Sequence, residues 1–167
     1  CIHTRYSTQQ AILEDIVASL YAQGMRKLII LSGHGGNNFK GMIRDLAFVY
    51  PDFLIIAADW FSIVPPKDYF EAVVDDHAGE SETSVMMHYH PELVNLAEAD
   101  DGESKPFAIP SLNEKVGWAP RHWDKATVDS GVGNPKKASA EKGERYMKPV
   151  VEKLAKLFTE VGLGSLY

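Results

Sequence analysis

Apolar positions set the frame of this chain. From Thr8 to Gln23, Ile12, Leu13, Ile16, Val17, Leu20 and Tyr21 recur at i, i+3 and i+4, which predicts a helix with one apolar face. Ser7 or Thr8 offers it a cap, and Gly24 a stop. Lys27 to Ser32 has an unbroken apolar centre, the pattern of a strand buried on both faces. A second helix follows Asn37 or Asn38, either of which can cap it, with Phe39, Met42, Ile43, Leu46 and Ala47 inward. Pro51-Asp52 turns the chain, and Phe53 to Asp59 reads as a second buried strand. Glu80 to His90 reads as a short helix ended by Pro91, and Ala138 to Val161 as a long one that Pro149 kinks. Between them, residues 95 to 136 are rich in Gly, Pro and polar residues with little periodicity, so they read as a long loop of functional length.

Alternating helix and strand predicts an α/β fold: a mostly parallel sheet between two helical layers, a three-layer α/β/α arrangement. At 167 residues a single domain, 1–167, is the simplest organisation. Its net charge of -6 argues against nucleic acid as a partner. The longest apolar run, Phe53 to Ala58, is far too short to cross a membrane. The lone cysteine, Cys1, allows no internal disulfide and points to a reducing, cytoplasmic setting.

Two short segments carry the candidate chemistry. Ser32-Gly33-His34-Gly35-Gly36-Asn37-Asn38 follows a strand, so His34 lies at the sheet's carboxyl edge, where such sheets bind ligands. Flanking glycines allow a metal or substrate close to the backbone. A dinucleotide fingerprint lacks its third glycine here, because Gly33 and Gly35 are followed by Asn38. A phosphate-binding P-loop and a nucleophilic serine elbow are also absent. The second segment, His77-Ala78-Gly79-Glu80-Ser81-Glu82-Thr83-Ser84, opens the short helix. Glu80 and Glu82 are two apart and point in different directions, so one can face a site while the other caps the helix or faces solvent. His88 and His90 read as solvated, and His3 lies near the chain start. His122 sits in Trp118-Ala-Pro-Arg-His-Trp123, which can line a pocket or pack in a core. Asp59, Asp75 and Asp76 are further candidate carboxylates.

These segments resemble the creatininase family, the creatinine amidohydrolases. The family's G-H-G-G-N matches Gly33 to Asn37, and its H-A-G-x-x-E-T-S matches His77 to Ser84. A third similar stretch runs from Gly131 to Gly143. The resemblance implies a creatininase-like fold and a site of two divalent metals, Zn, Mn or Fe. That site hydrolyses a C–N bond of a cyclic amide or formamide-type small molecule through metal-bound hydroxide. His34 and Glu82 fall on metal-binding positions and His77 on the proton-shuttling histidine. Gly35, Gly36, Asn37 and Trp118 are the candidate substrate contacts. A homo-oligomer, a hexamer in the family, is the implied assembly. Gly36 stands where creatininase proper has a glutamate ligand, a form found in relatives acting on other substrates. The family's N-terminal E-x-H segment and aspartate have no counterpart, so the chain matches the C-terminal two-thirds of the domain. The missing segment would supply further ligands. The rival expectation is a non-catalytic binding or assembly subunit with the same fold.

Overall fold

The computed structural model describes residues 3–165 and 167; Cys1, read above as the lone thiol, lies outside them. The chain forms two compact units. One takes the residues through Ile63 and those from Glu152 onward, and the other is Val64–Val151.

The first unit follows the apolar pattern closely. Helix α1 (Tyr6–Ala22) buries Leu13 and Val17, helix α2 (Lys40–Val49) buries Met42 and Leu46, and both pairs have i, i+4 spacing. They cluster with Phe53 and with Ile55 of strand β2 (Leu54–Asp59). Leu28 and Ile30 of strand β1 (Lys27–Ser32) pack on the same cluster. Full burial of side chains this size contributes about 1.5–3 kcal/mol each. β1 and β2 pair in parallel from Lys27↔Leu54 to Ser32↔Asp59, so both strands end together at one edge.

Three details differ from the sequence pattern. Leu31 is half exposed, so β1 is not buried on both faces; the helical core covers the side of Leu28 and Ile30 instead. α1 begins at Tyr6, and the amides of Thr8 and Gln9 bond the Arg5 carbonyl rather than a Ser7 or Thr8 side chain. Ile12 and Ile16 of its apolar stripe remain exposed. Gly24, with φ of 87°, stops the helix as expected.

In the second unit, strand β3 (Asp75–His77) leads into helix α3 (Glu80–Tyr89). The stretch read as a long loop has structure of its own: helix α4 (Pro110–Asn113), helix α5 (Trp123–Ala126) and strand β4 (Val132–Gly133). β4 pairs antiparallel with β3. Elements of two to four residues carry no readable periodicity, so the pattern could not announce them. Helix α6 (Ala140–Leu163) has Pro149 inside it, and its residues are divided between the units at Val151.

Candidate active site

His34 stands two residues beyond the end of β1 and is exposed. The Gly36 N–H donates to His34 Nδ1 at 2.9 Å. That bond makes Nδ1 an acceptor, so the neutral ring carries its proton on Nε2. The glycine at 36 matters sterically as well: a Cβ there would lie 3.1 Å from His34 Nδ1. The His34 carbonyl accepts from Asn37 N–H at 3.1 Å and from Ser32 Oγ at 3.3 Å. The Asn37 side-chain amide turns back to Ser32 Oγ at 3.4 Å, so its donor serves the loop. Gly35 lies against Phe61, whose ring would be 3.8 Å from an added Cβ. Beside this loop is a cavity of about 320 Å³ lined by Asn37, Asn38, Lys40, Arg44 and Asp59 among others.

The second unit assembles the other segment. His77 ends β3, and Ala78 then adopts φ of 50°, a conformation that side-chain-bearing residues rarely hold. Gly79 follows because nothing larger fits: a Cβ would sit 2.2 Å from Asp75 Oδ1. The Asp75 carboxylate accepts the Ser81 N–H at 3.2 and 3.1 Å, serving an orphan donor of the first turn of α3. Across the tight turn, Glu82 Oε2 accepts the Ala78 N–H at 2.7 Å and lies 4.0 Å from His77 Nδ1.

The two glutamates have separate tasks. Glu80 has no exposure; it accepts the amides of Glu71 and Ala72 and is ion-paired with Lys142. It is neither a simple cap nor a solvated acid. Glu82 keeps 41% of its side chain exposed and faces a cavity of about 320 Å³. Thr83, Met86, Leu93, Leu96 and Asp129 also line that cavity. The geometry therefore separates a buried structural carboxylate from an accessible one beside a histidine.

Trp123 completes this neighbourhood. Its ring centroid is 5.0 Å from that of His77. The Arg121 guanidinium lies 4.7 Å above the same indole and bonds Asp76 at 2.6 Å. The aromatic-rich segment was the only sequence signal for this cluster, since nothing in the spacing links Trp123 to His77. Trp118, the substrate candidate from that segment, is 86% exposed. Asp59 is paired in register with Ser32. His90 bonds Glu92 at 3.2 Å, and His88 packs on Tyr89.

Imidazole and carboxylate are donors suited to zinc, manganese or iron. In number they fall short of a whole site. Among the described residues no three His, Cys, Asp or Glu side chains gather as a metal cluster, whereas a catalytic zinc takes about three protein ligands.

A parallel-stranded α/β fold with a histidine at the strand ends and a His–Glu pair at a helix start defines a creatininase-like protein. The family model Creatininase: Creatinine amidohydrolase matches residues 1–158, and the chain belongs to this family. It is similar to the mycofactocin precursor peptide peptidase of Mycobacterium ulcerans (strain Agy99), with 32% identity over 75% of this chain and 45% of that protein. A crystal structure from Bacteroides fragilis NCTC 9343, of a protein provisionally named a creatinine amidohydrolase, is 83% identical with a TM-score of 0.96. That match covers 100% of this chain and 66% of the other. A mutant creatininase of Zn-Zn type shares the fold, with a TM-score of 0.74 at 23% identity over 95% of this chain and 65% of that one. The match thus takes in less than half of the M. ulcerans protein and about two-thirds of these crystallised ones.

Proposed function

We propose that the protein is a metal-dependent amidohydrolase that cleaves a C–N bond in a cyclic amide or formamide-type small molecule. One observation carries the reading: the His77 imidazole and Glu82 carboxylate, 4.0 Å apart, meet across a turn whose Ala78 holds φ of 50°. Non-glycine backbone of this kind persists only where its surroundings enforce it, and it clusters at functional sites. Membership of a family described as creatinine amidohydrolase supports amide hydrolysis. The Zn-Zn form of a structurally similar creatininase supports a divalent metal, two per complete site.

His34 and Glu82 are the donors this chain offers, with the remaining ligands supplied by protein outside its 167 residues. When bound, a divalent metal supplies Lewis-acid polarisation of an amide carbonyl and acidifies a water. Glu82 Oε2 is occupied by the Ala78 N–H, which leaves Oε1 for that role. His77 moves the proton that the departing nitrogen needs. Trp123 packs against its ring at 5.0 Å, tilted by 58°. Gly35 and Gly36 let substrate approach the backbone, and Trp118 offers an apolar surface to it.

The test pairs chelation with an assay on cyclic amides, formamides and short peptides. Cleavage that stops on chelation and returns with zinc or manganese supports the reading. Turnover of peptides alone would move it toward the activity named for the M. ulcerans relative. Two bound metals without turnover of any substrate would favour the non-catalytic binding or assembly subunit.

A further inference from the structure

Glu80 opens α3, two residues before Glu82 and three after His77, and it is fully buried. A buried carboxylate is strongly disfavoured unless it is paired and hydrogen-bonded. Here both oxygens are committed. Oε2 accepts the N–H of Glu71 at 2.8 Å and of Ala72 at 2.7 Å. Oε1 is bonded to Lys142 Nζ, and Lys142 also reaches Glu71 Oε1 at 3.1 Å and the Lys137 carbonyl at 3.0 Å.

One carboxylate therefore ties together three pieces of the second unit: the segment leading into β3, the start of α3, and α6. Helix contact does not depend on it. A Cβ on Gly143 would lie 2.1 Å from the Ser84 carbonyl oxygen, so α6 already lies directly against α3. Buried Ser84 adds a further tie, donating to the Glu80 carbonyl at 2.6 Å and accepting from Ser139 N–H at 3.1 Å. Ion pairs in such places are often replaceable by apolar residues without loss of stability. What the charges add is direction, because they anchor both the approach to the His77-Ala78-Gly79 turn and its exit.

We infer that Glu80 and Lys142 act as a positioning pair that holds His77 and Glu82 in their mutual geometry across the Ala78 turn. The inference rests on the reading of His77 and Glu82 as reacting groups. Its test uses the double variant Glu80→Gln/Lys142→Met, which removes both charges while keeping the volumes. Three quantities are compared between native and variant chains: the melting midpoint, the His77 Cε1–H resonance at one fixed pH, and kcat and KM after co-expression with the remaining third of the crystallised B. fragilis relative. That resonance is assigned by its loss in His77→Gln. The expected result is a near-native midpoint, kcat lower by roughly 10- to 100-fold with KM within about twofold, and a displaced His77 resonance; small misplacements of reacting groups cost this much. An unmoved His77 resonance with native kcat overturns the inference. If the double variant does not fold, Glu80→Gln alone carries the test, since it keeps the shape while removing the charge and the acceptor that faces Lys142. A displaced resonance in it supports the inference, and a native one sinks it. If even the co-expressed native protein hydrolyses no amide, the proposed activity fails, and the resonance still decides the positioning role by itself.

Discussion

At the scale of single residues, His34 and His77 are expected to fail differently. His34→Ala removes a ring held by the Gly36 amide in an exposed loop, so folding survives. In the complete protein, at least one metal equivalent and essentially all hydrolysis should be lost, read by elemental analysis and assay. His77→Ala should retain metal and lose rate by roughly 10²–10⁴-fold, the usual worth of a general acid or base. Full metal occupancy in His34→Ala, or metal loss in His77→Ala, would show the two roles to be reversed. Gly79 gives a structural counterpart. An added Cβ would lie 2.2 Å from Asp75 Oδ1, pushing away the carboxylate that serves Ser81. Gly79→Ala should cost about 1–3 kcal/mol, the usual penalty for forcing atoms into a filled site, measured by denaturant unfolding. His34 was visible in the sequence because glycines flank it, and His77 because Glu80 and Glu82 follow within six residues. The separation of Glu80 from Glu82 was visible only as a divergence of direction. Which of them faces the site depends on Lys142, 62 residues away, and no local spacing encodes that.

Elements were legible wherever periodicity ran for more than one turn. α1, α2 and α6 lie where the apolar stripes place them, β1 and β2 where the apolar runs do, and α3 between Glu80 and the Pro91 that ends it, with ends shifted by a few residues. β3 and β4 were not legible, because a strand of two or three residues is defined by its partner and not by its own pattern. Their contact depends instead on glycine: Gly133 holds φ of 118°, and a Cβ there would meet the Val74 carbonyl oxygen at 2.6 Å. Ion pairs link elements in the second unit and bring a pH dependence. Bonds from Lys137 and then Lys142 hold the Glu71 carboxyl down to about 2 from its ordinary 4.5. Between those values the unfolded chain binds more protons than the folded one, so stability rises with pH there. The contribution is complete above about pH 4.5 and disappears as pH falls toward 2. Glu71 is 60% exposed, so the effect is small and screened by salt. Acid unfolding curves of Glu71→Gln should be shallower than native across that window at low salt and coincide with it at high salt. Curves that stay parallel from pH 7 down through that window would point to another cause.

For the whole molecule, the decisive quantity is the number of metal donors. No helix of the described residues is long and apolar enough to cross a membrane. In the proposed site this chain would offer His34 and Glu82, and two metals would need more than two donors. The chain also spans 66% of its crystallised B. fragilis relative. The expectation is that the 167-residue chain alone binds zinc or manganese weakly and turns over no amide. Co-expression with the remaining third of that relative should restore tight binding of about two metals and C–N cleavage together, because the donors and the water they activate arrive at once. The measurement is a metal titration by calorimetry on both preparations, with the amide assay run on the same samples. Sedimentation of the same samples tests the homo-oligomer: a monomer whose Trp118 and Trp123 are both freely quenched would remove that assembly. Tight two-metal binding and turnover by the chain alone would mean that Asp59, Asp76 or His122 completes the site from within. Substituting those three in turn would then identify the missing donors, and the assignment of Glu82 would have to be drawn again around them.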